Sequence, residues 1–175
     1  TMIDTGVWRS IGERLFAVQA HLEGEEMFLA NYSDGLSDVD LPAMIETFKQ
    51  SGKVACFVAC HPSFTLHLIE MDAGGRVNGI RATQDANLWI NGGFFIFRSQ
   101  IFDYMREGEE LVEEPFRRLI DAEQLLAFKH EGFWRPMDTL KDKEVLEDMV
   151  EQGRMPWRLA APVPVVSTRV AMKVG

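Results

Sequence analysis

The apolar run Met27–Asn31 leads into a polar turn, Tyr32-Ser33-Asp34-Gly35, followed by Asp38 and Asp40, and the rest of the chain arranges itself about that junction. A short continuous apolar run bounded by turn residues predicts a strand buried on both faces. Upstream, apolar residues at 11, 15, 18 and 22 recur at helical spacing. Ser10 with Glu13 three residues later gives a capping box, so a helix is expected over 10–22. Downstream a second helix is expected over 41–50, opened by Asp40-Leu41-Pro42 and stopped at Ser51-Gly52, and then an apolar strand over 54–60. Helix, strand, helix, strand is the order of parallel strands joined by crossovers.

From residue 65 the pattern changes. Residues 66–71, the turn Asp72-Ala73-Gly74-Gly75 and residues 76–80 predict an antiparallel hairpin. A strongly apolar strand follows over 89–97, interrupted by Gly92-Gly93. Paired glycines inside such a strand mark either a bulge, a close approach of another group to the backbone, or relief of a clash with packed aromatics. Short helices are expected over 99–105 and 115–122, and strands over 125–130 and 132–134. A last helix is expected over 141–152, with Leu140, Val145, Leu146 and Met149 on its buried face and Gly153 past its end. The pattern divides the chain into one α/β domain over 1–157 and an extended tail over 158–175.

Asp34 falls where the first strand stops. Ligands of open α/β sheets bind beyond the carboxyl ends of strands, so a carboxylate there is placed to hold a metal or a metal-bound phosphate, and Gly35 is expected to turn the backbone sharply beside it. Asp38-Val39-Asp40 reads either as a strand end plus helix cap or as a two-carboxylate metal site of the glycosyltransferase kind. Asp138 reads either as a metal ligand or as the cap of the last helix. Cys56 and Cys60 share one face of an extended strand, too far apart to be bridged, and are expected as buried free thiols; a zinc site with His61 lacks a second ligand pair.

With 46% hydrophobic and 26% charged residues in 175, the chain has the composition of a single globular domain. A net charge of -9 argues against nucleic acid as the main partner and requires local cations or a metal for an anionic substrate. No apolar run is long enough to cross a bilayer, so a cytoplasmic location is expected. The opening Thr1-Met2-Ile3-Asp4-Thr5-Gly6 reads like the end of a strand rather than the start of a domain.

In chain order, Asn31-Tyr32-Ser33-Asp34-Gly35 with Asp38, Trp89-Ile90-Asn91-Gly92-Gly93-Phe94-Phe95, Phe133-Trp134-Arg135-Pro136-Met137-Asp138-Thr139 with Lys141-Asp142-Lys143, and Met155-Pro156-Trp157 resemble the glucose-1-phosphate cytidylyltransferases. These belong to the sugar-1-phosphate nucleotidyltransferases. The resemblance implies a Rossmann-like, GT-A-like α/β fold with a mixed sheet and an antiparallel extension, its first strand or strands missing here. It implies transfer of a nucleotide from a triphosphate, CTP foremost, to a sugar 1-phosphate, with Mg2+ held between two aspartates that match Asp34 and Asp138. It places Asn91, Gly92 and Gly93 at the sugar, Tyr32 of the first block among the substrate-binding residues, and Gly12 and Arg14 near the nucleotide; Arg14 also reads as a solvated helix residue.

Three departures from the family stand out. The glycine-rich G-G-x-G-T-R loop and the Pro-Lys-Pro-Met that wrap the triphosphate are absent from these residues, so the 175 residues alone are expected to bind sugar phosphate poorly and to catalyse little. The family's Glu-Lys-Pro, whose lysine contacts the sugar phosphate, is absent from the interval before Trp89, where only Arg81 is basic; Arg81 or Arg135 stands in as a replacement cation. An edge left bare by a missing first strand would favour a homo-oligomer. A different nucleotide or sugar, or a degenerate non-catalytic relative, are the alternatives these departures leave open.

Overall fold

The computed structural model describes residues 1–64 and 66–158, so the expected tail beyond Arg158 lies outside the described residues. The main sheet has four strands in the order β1 (Met27–Asn31), β6 (Ile90–Arg98), β3 (Ala55–Cys60), β7 (Leu125–His130). β6 runs antiparallel to both β1 and β3, while β3 and β7 are parallel. The two strands expected to pair through a crossover, β1 and β3, are therefore separated by β6, which arrives later in the chain. Two antiparallel ribbons stand apart from this sheet: β2 (Gly35–Ser37) with β8 (Trp134–Pro136), and the expected hairpin, β4 (His67–Met71) with β5 (Val77–Ala82). At the hairpin turn the Asp72 carboxylate accepts from the Gly74 and Arg76 N–H groups.

The first strand is not buried on both faces. β1 is the outer strand of the sheet, and Leu29 is 50% exposed. Apolarity alone does not distinguish a central strand from an edge whose outward residues are also apolar. Similarly, Leu140 is 70% exposed, because the last helix, α4 (Leu140–Glu151), turns Leu146 inward and starts with Leu140 on its outer side. The helix expected over 10–22 is α1 (Ile11–Ala17) followed by a 3-10 turn, Gln19–Leu22; the segment Ser99–Tyr104 is also 3-10. The short strand near residue 133 falls two residues later than expected.

Two apolar layers cover the sheet. On one side Phe28, Phe95, Phe97, Ile101, Leu111 and Leu119 form a core reached by α3 (Glu114–Asp121) and by Leu15 of α1. On the other, Met44 and Phe48 of α2 (Leu41–Ser51) pack on Cys56, Val58, Cys60 and Ile96. Both cysteines are free and buried, as expected, and burial pushes each thiol up to about 12. Glu109 joins the outer pieces to the first layer. Its backbone carbonyl accepts from the Ser10 hydroxyl at 3.0 Å and lies so close to Gly12 that an added Cβ would fall 2.2 Å from it, while its carboxylate is gripped by the Arg118 guanidinium of α3.

The glycine pair in β6 accommodates aromatics of this chain. Gly93 has φ +74, and a Cβ there would meet the Tyr32 ring at 2.6 Å; a Cβ on Gly92 would come within 3.1 Å of Cys60 Sγ and Val58. The register between β3 and β6 also shifts here, between Phe57 and Ala59, so bulge and close approach coincide.

Two outcomes follow. Gly93→Ala should cost about 2–4 kcal/mol from left-handed strain plus the ring clash. Gly24→Ala, with φ +86 and nothing within 4 Å, should lose only the strain, about 1–2 kcal/mol. Urea denaturation separates them, and equal losses would remove Tyr32 from the account. Arg118 beside Glu109 holds the carboxyl below its ordinary 4.5, so its contribution is complete above that value and lost as pH falls beneath it. Glu109→Gln should therefore lower the melting temperature at neutral pH and flatten its decline in acid.

Candidate active site

The β2–β8 ribbon pairs Gly35 with Pro136, Leu36 with Arg135 and Ser37 with Trp134. Just past its end the Met137 N–H donates to the Asp34 carbonyl at 2.8 Å, which brings Asp34 and Asp138, remote in the chain, to one tip. Both are exposed, and among the described residues neither carboxylate is engaged in a hydrogen bond or ion pair. Gly35 does not make the turn by a left-handed conformation: it is extended and begins β2, while Ser33 and Asp34 form the bend.

The capping alternatives resolve residue by residue. Thr139, not Asp138, caps α4: its hydroxyl accepts from the Asp142 N–H at 3.2 Å, and the Asp142 carboxylate accepts from the Thr139 N–H at 3.1 Å. Asp40 caps α2, accepting from the Ala43 N–H at 2.9 Å. Asp38 lies 3.0 Å from His130 Nε2. With Asp40 spent on a helix and Asp38 on a histidine, the paired-carboxylate reading of 38–40 is not supported. Asp34 and Asp138 are left as the acidic pair without a local structural task.

Both ends of the ribbon are fastened to the main sheet. At the acidic tip the Trp134 indole N–H donates to the Gly92 carbonyl at 2.7 Å, and the Tyr32 N–H to the Gly93 carbonyl at 2.8 Å. At the other end His130 Nε2 stands 3.0 Å from Asp38, 3.1 Å from the Phe133 carbonyl and 3.2 Å from the Ser37 hydroxyl, and that hydroxyl donates to the Phe133 carbonyl at 2.9 Å. A two-stranded ribbon is marginal by itself, so these side-chain anchors fix it. Sequence reasoning missed Trp134 and His130 as anchors, although a polar residue closing an apolar strand, as His130 does, was the available signal.

Tyr32 packs edge-on against Phe95 with ring centroids 5.2 Å apart, and burial, opposed by the Asn91 hydrogen bond, raises its phenol above the usual range, with Glu110 and Asp34 adding to the rise. Asn91 accepts from the Gly93 N–H at 2.9 Å and turns its amide to the Tyr32 hydroxyl at 3.5 Å. Asn91 also lines a cavity of about 470 Å³ walled by Phe57, Ala59, Trp89, Phe116 and Lys129. That is the size and mixed lining of a small-molecule site. The other expected residues are occupied locally. Arg14 donates to the Arg9 and Val7 carbonyls, Gly12 is filled by Glu109, and Arg135 reaches Asp142 at 3.5 Å with its Nε buried and unpaired among the described residues.

Among the described residues no group of three or more His, Cys, Asp or Glu could hold a metal ion by itself. Two exposed carboxylates at one tip are nonetheless the protein share that magnesium takes when phosphate oxygens and water complete its shell, so the donor chemistry fits. No helix among the described residues is long and apolar enough to cross a membrane.

No family model matches the chain. It is 35% identical over 159 residues, 90% of its length, to the glucose-1-phosphate cytidylyltransferase of Salmonella typhi, of which it covers 62%. It is 28% identical over 161 residues to a Bacillus subtilis protein assigned the same activity, covering 63% of that chain. The fold superposes with a TM-score of 0.58 on a Bacillus anthracis protein assigned as a glucose-1-phosphate thymidylyltransferase and solved with sucrose, at 13% identity, over 83% of this chain and 61% of the other. By sequence these 175 residues are similar to glucose-1-phosphate cytidylyltransferases and by fold to a solved sugar-1-phosphate nucleotidyltransferase, and they span less than two thirds of the length of the curated relatives they match.

Proposed function

We propose that the chain forms the sugar-phosphate and metal half of an enzyme that joins a sugar 1-phosphate to a nucleoside triphosphate with release of pyrophosphate, most like the formation of CDP-glucose from CTP and glucose 1-phosphate. The observation that carries this reading is the Met137 to Asp34 hydrogen bond, which joins the two aspartates at one exposed tip. The 35% identity to a glucose-1-phosphate cytidylyltransferase supports the choice of substrates.

In this reading the sugar phosphate oxygen attacks the α-phosphorus and pyrophosphate leaves, so no protein nucleophile is needed and positioning does most of the work. Asp34 and Asp138 would hold Mg2+. When bound, the ion supplies charge neutralisation for phosphate oxygens. Asn91, with its carbonyl oxygen fixed by Gly93 and its amide toward Tyr32, offers oriented hydrogen-bonding groups to sugar hydroxyls. Anchoring of the ribbon by Trp134 limits the drift of both aspartates relative to Asn91.

Pyrophosphate release with CTP, magnesium and glucose 1-phosphate should fall about 100-fold or more in Asp34→Asn and in Asp138→Asn, while the melting temperature holds. Calorimetry carries the same test where turnover is slow: magnesium-dependent binding of CDP-glucose should disappear in both variants. Unchanged binding in either would overturn the metal assignment, and an equal response to every triphosphate would overturn the choice of CTP.

A further inference from the structure

Strand register sets three residues in a row across the cavity beside Asn91. Asn91 of β6 is paired with Ala59 of β3, and Ala59 with Lys129 of β7. Paired residues share a sheet face, so an amide and an ammonium stand on either side of a methyl group, with about 10 Å between their strands. Ala59 and Ala127 leave the gap open, and Phe57, Phe116 and Trp89 wall it. The two ends of the row lie at different distances from the aspartates. Asn91 reaches the Tyr32 hydroxyl, and Tyr32 precedes Asp34 by two residues, so the acidic tip is on the Asn91 side. β3 and then β7 lead away from it, and Lys129 stands at the far end.

We propose that Lys129 selects the sugar by holding a carboxylate on the end of the ring opposite the phosphate, so that the cavity favours a hexuronic acid 1-phosphate over the neutral hexose 1-phosphate. This selection rests on the function proposed above. A sugar 1-phosphate that reacts at the tip and meets Asn91 with its hydroxyls turns the end remote from its phosphate across Ala59 toward Lys129. Among the described residues Lys129 is the one charged side chain lining the cavity. Its ammonium lies 5.3 Å from the centre of the Trp89 ring and takes part in no ion pair among the described residues, whereas Arg81, Arg98, Arg118, Arg135 and Lys143 each face a carboxylate. An ammonium against an aromatic wall keeps its charge available to an incoming anion. Its hydrogen bond to a carboxylate is about twice as strong as a bond between neutral groups, and the apolar side chains of Phe57, Ala59, Phe116 and Ala127 offer a neutral substituent nothing comparable. In a chain of net charge -9 an acidic sugar is otherwise repelled, so this one cation decides whether it enters.

Nuclear magnetic resonance titration, which reads weak affinities, tests the selection in the 175-residue protein, Lys129→Ala and Lys129→Arg, each with magnesium and either glucose 1-phosphate or glucuronic acid 1-phosphate. The unsubstituted protein should bind the acid about 10-fold more tightly than the neutral sugar phosphate. Lys129→Ala should lose that preference through weaker binding of the acid alone, and Lys129→Arg should keep it. Equal affinity of the unsubstituted protein for the two ligands, or a preference that survives Lys129→Ala, would overturn the role of Lys129 and leave the broader function standing. Failure of the unsubstituted protein to bind either ligand would instead overturn the proposed function and this role with it. Because Lys129 is exposed, circular dichroism should show no change of fold in either variant.

Discussion

The hydrogen bond from the Trp134 indole to the Gly92 carbonyl, 2.7 Å long, is the contact on which the geometry of the site depends. It joins a two-stranded ribbon, which carries both aspartates at its tip, to the central strand of the main sheet. Glycine at 92 leaves room for it, since a Cβ there would stand 3.2 Å from the same indole nitrogen and would press on it. The neighbouring Gly93 gives the Tyr32 ring its place and accepts the Tyr32 N–H. The chain gives up two side chains in the middle of its most apolar strand, and in return the backbone of that strand becomes an acceptor surface for two aromatic anchors.

This arrangement separates rigidity from charge. The anchors are buried or half-buried, whereas Asp34 and Asp138 remain in water, where holding like charges near each other costs little. The Met137 to Asp34 hydrogen bond fixes the backbone of the tip, and neither carboxylate is engaged in an ion pair among the described residues.

The two apolar layers explain why β6 can bear these exceptions. Phe95 and Phe97 lie in one layer and Ile96 in the other, so the strand is held from both sides along its second half and its first half is free to bulge. β1, by contrast, packs Phe28 and Ala30 on one layer and only Met27 on the other, and exposes Leu29.

Local patterns were sufficient for the pieces. The capping box of Ser10 and Glu13, the Asp40 cap, the hairpin, the buried thiols and the positions of most strands depend on residues close in sequence, and the structure reproduces them. The resemblance likewise singled out Asp34 and Asp138 before any fold was known. What lay beyond the sequence is everything that depends on contacts distant along the chain: that β6 would lie between β1 and β3, that Thr139 would free Asp138 from capping, that Tyr32 and Trp134 would occupy the space at the paired glycines, and that Lys129 would share a row with Asn91. Periodicity reports which faces of a segment are apolar, a property of neighbours a few residues apart. Strand order and register are decided by which of several apolar faces bury each other best, and that competition is settled only when the whole chain packs.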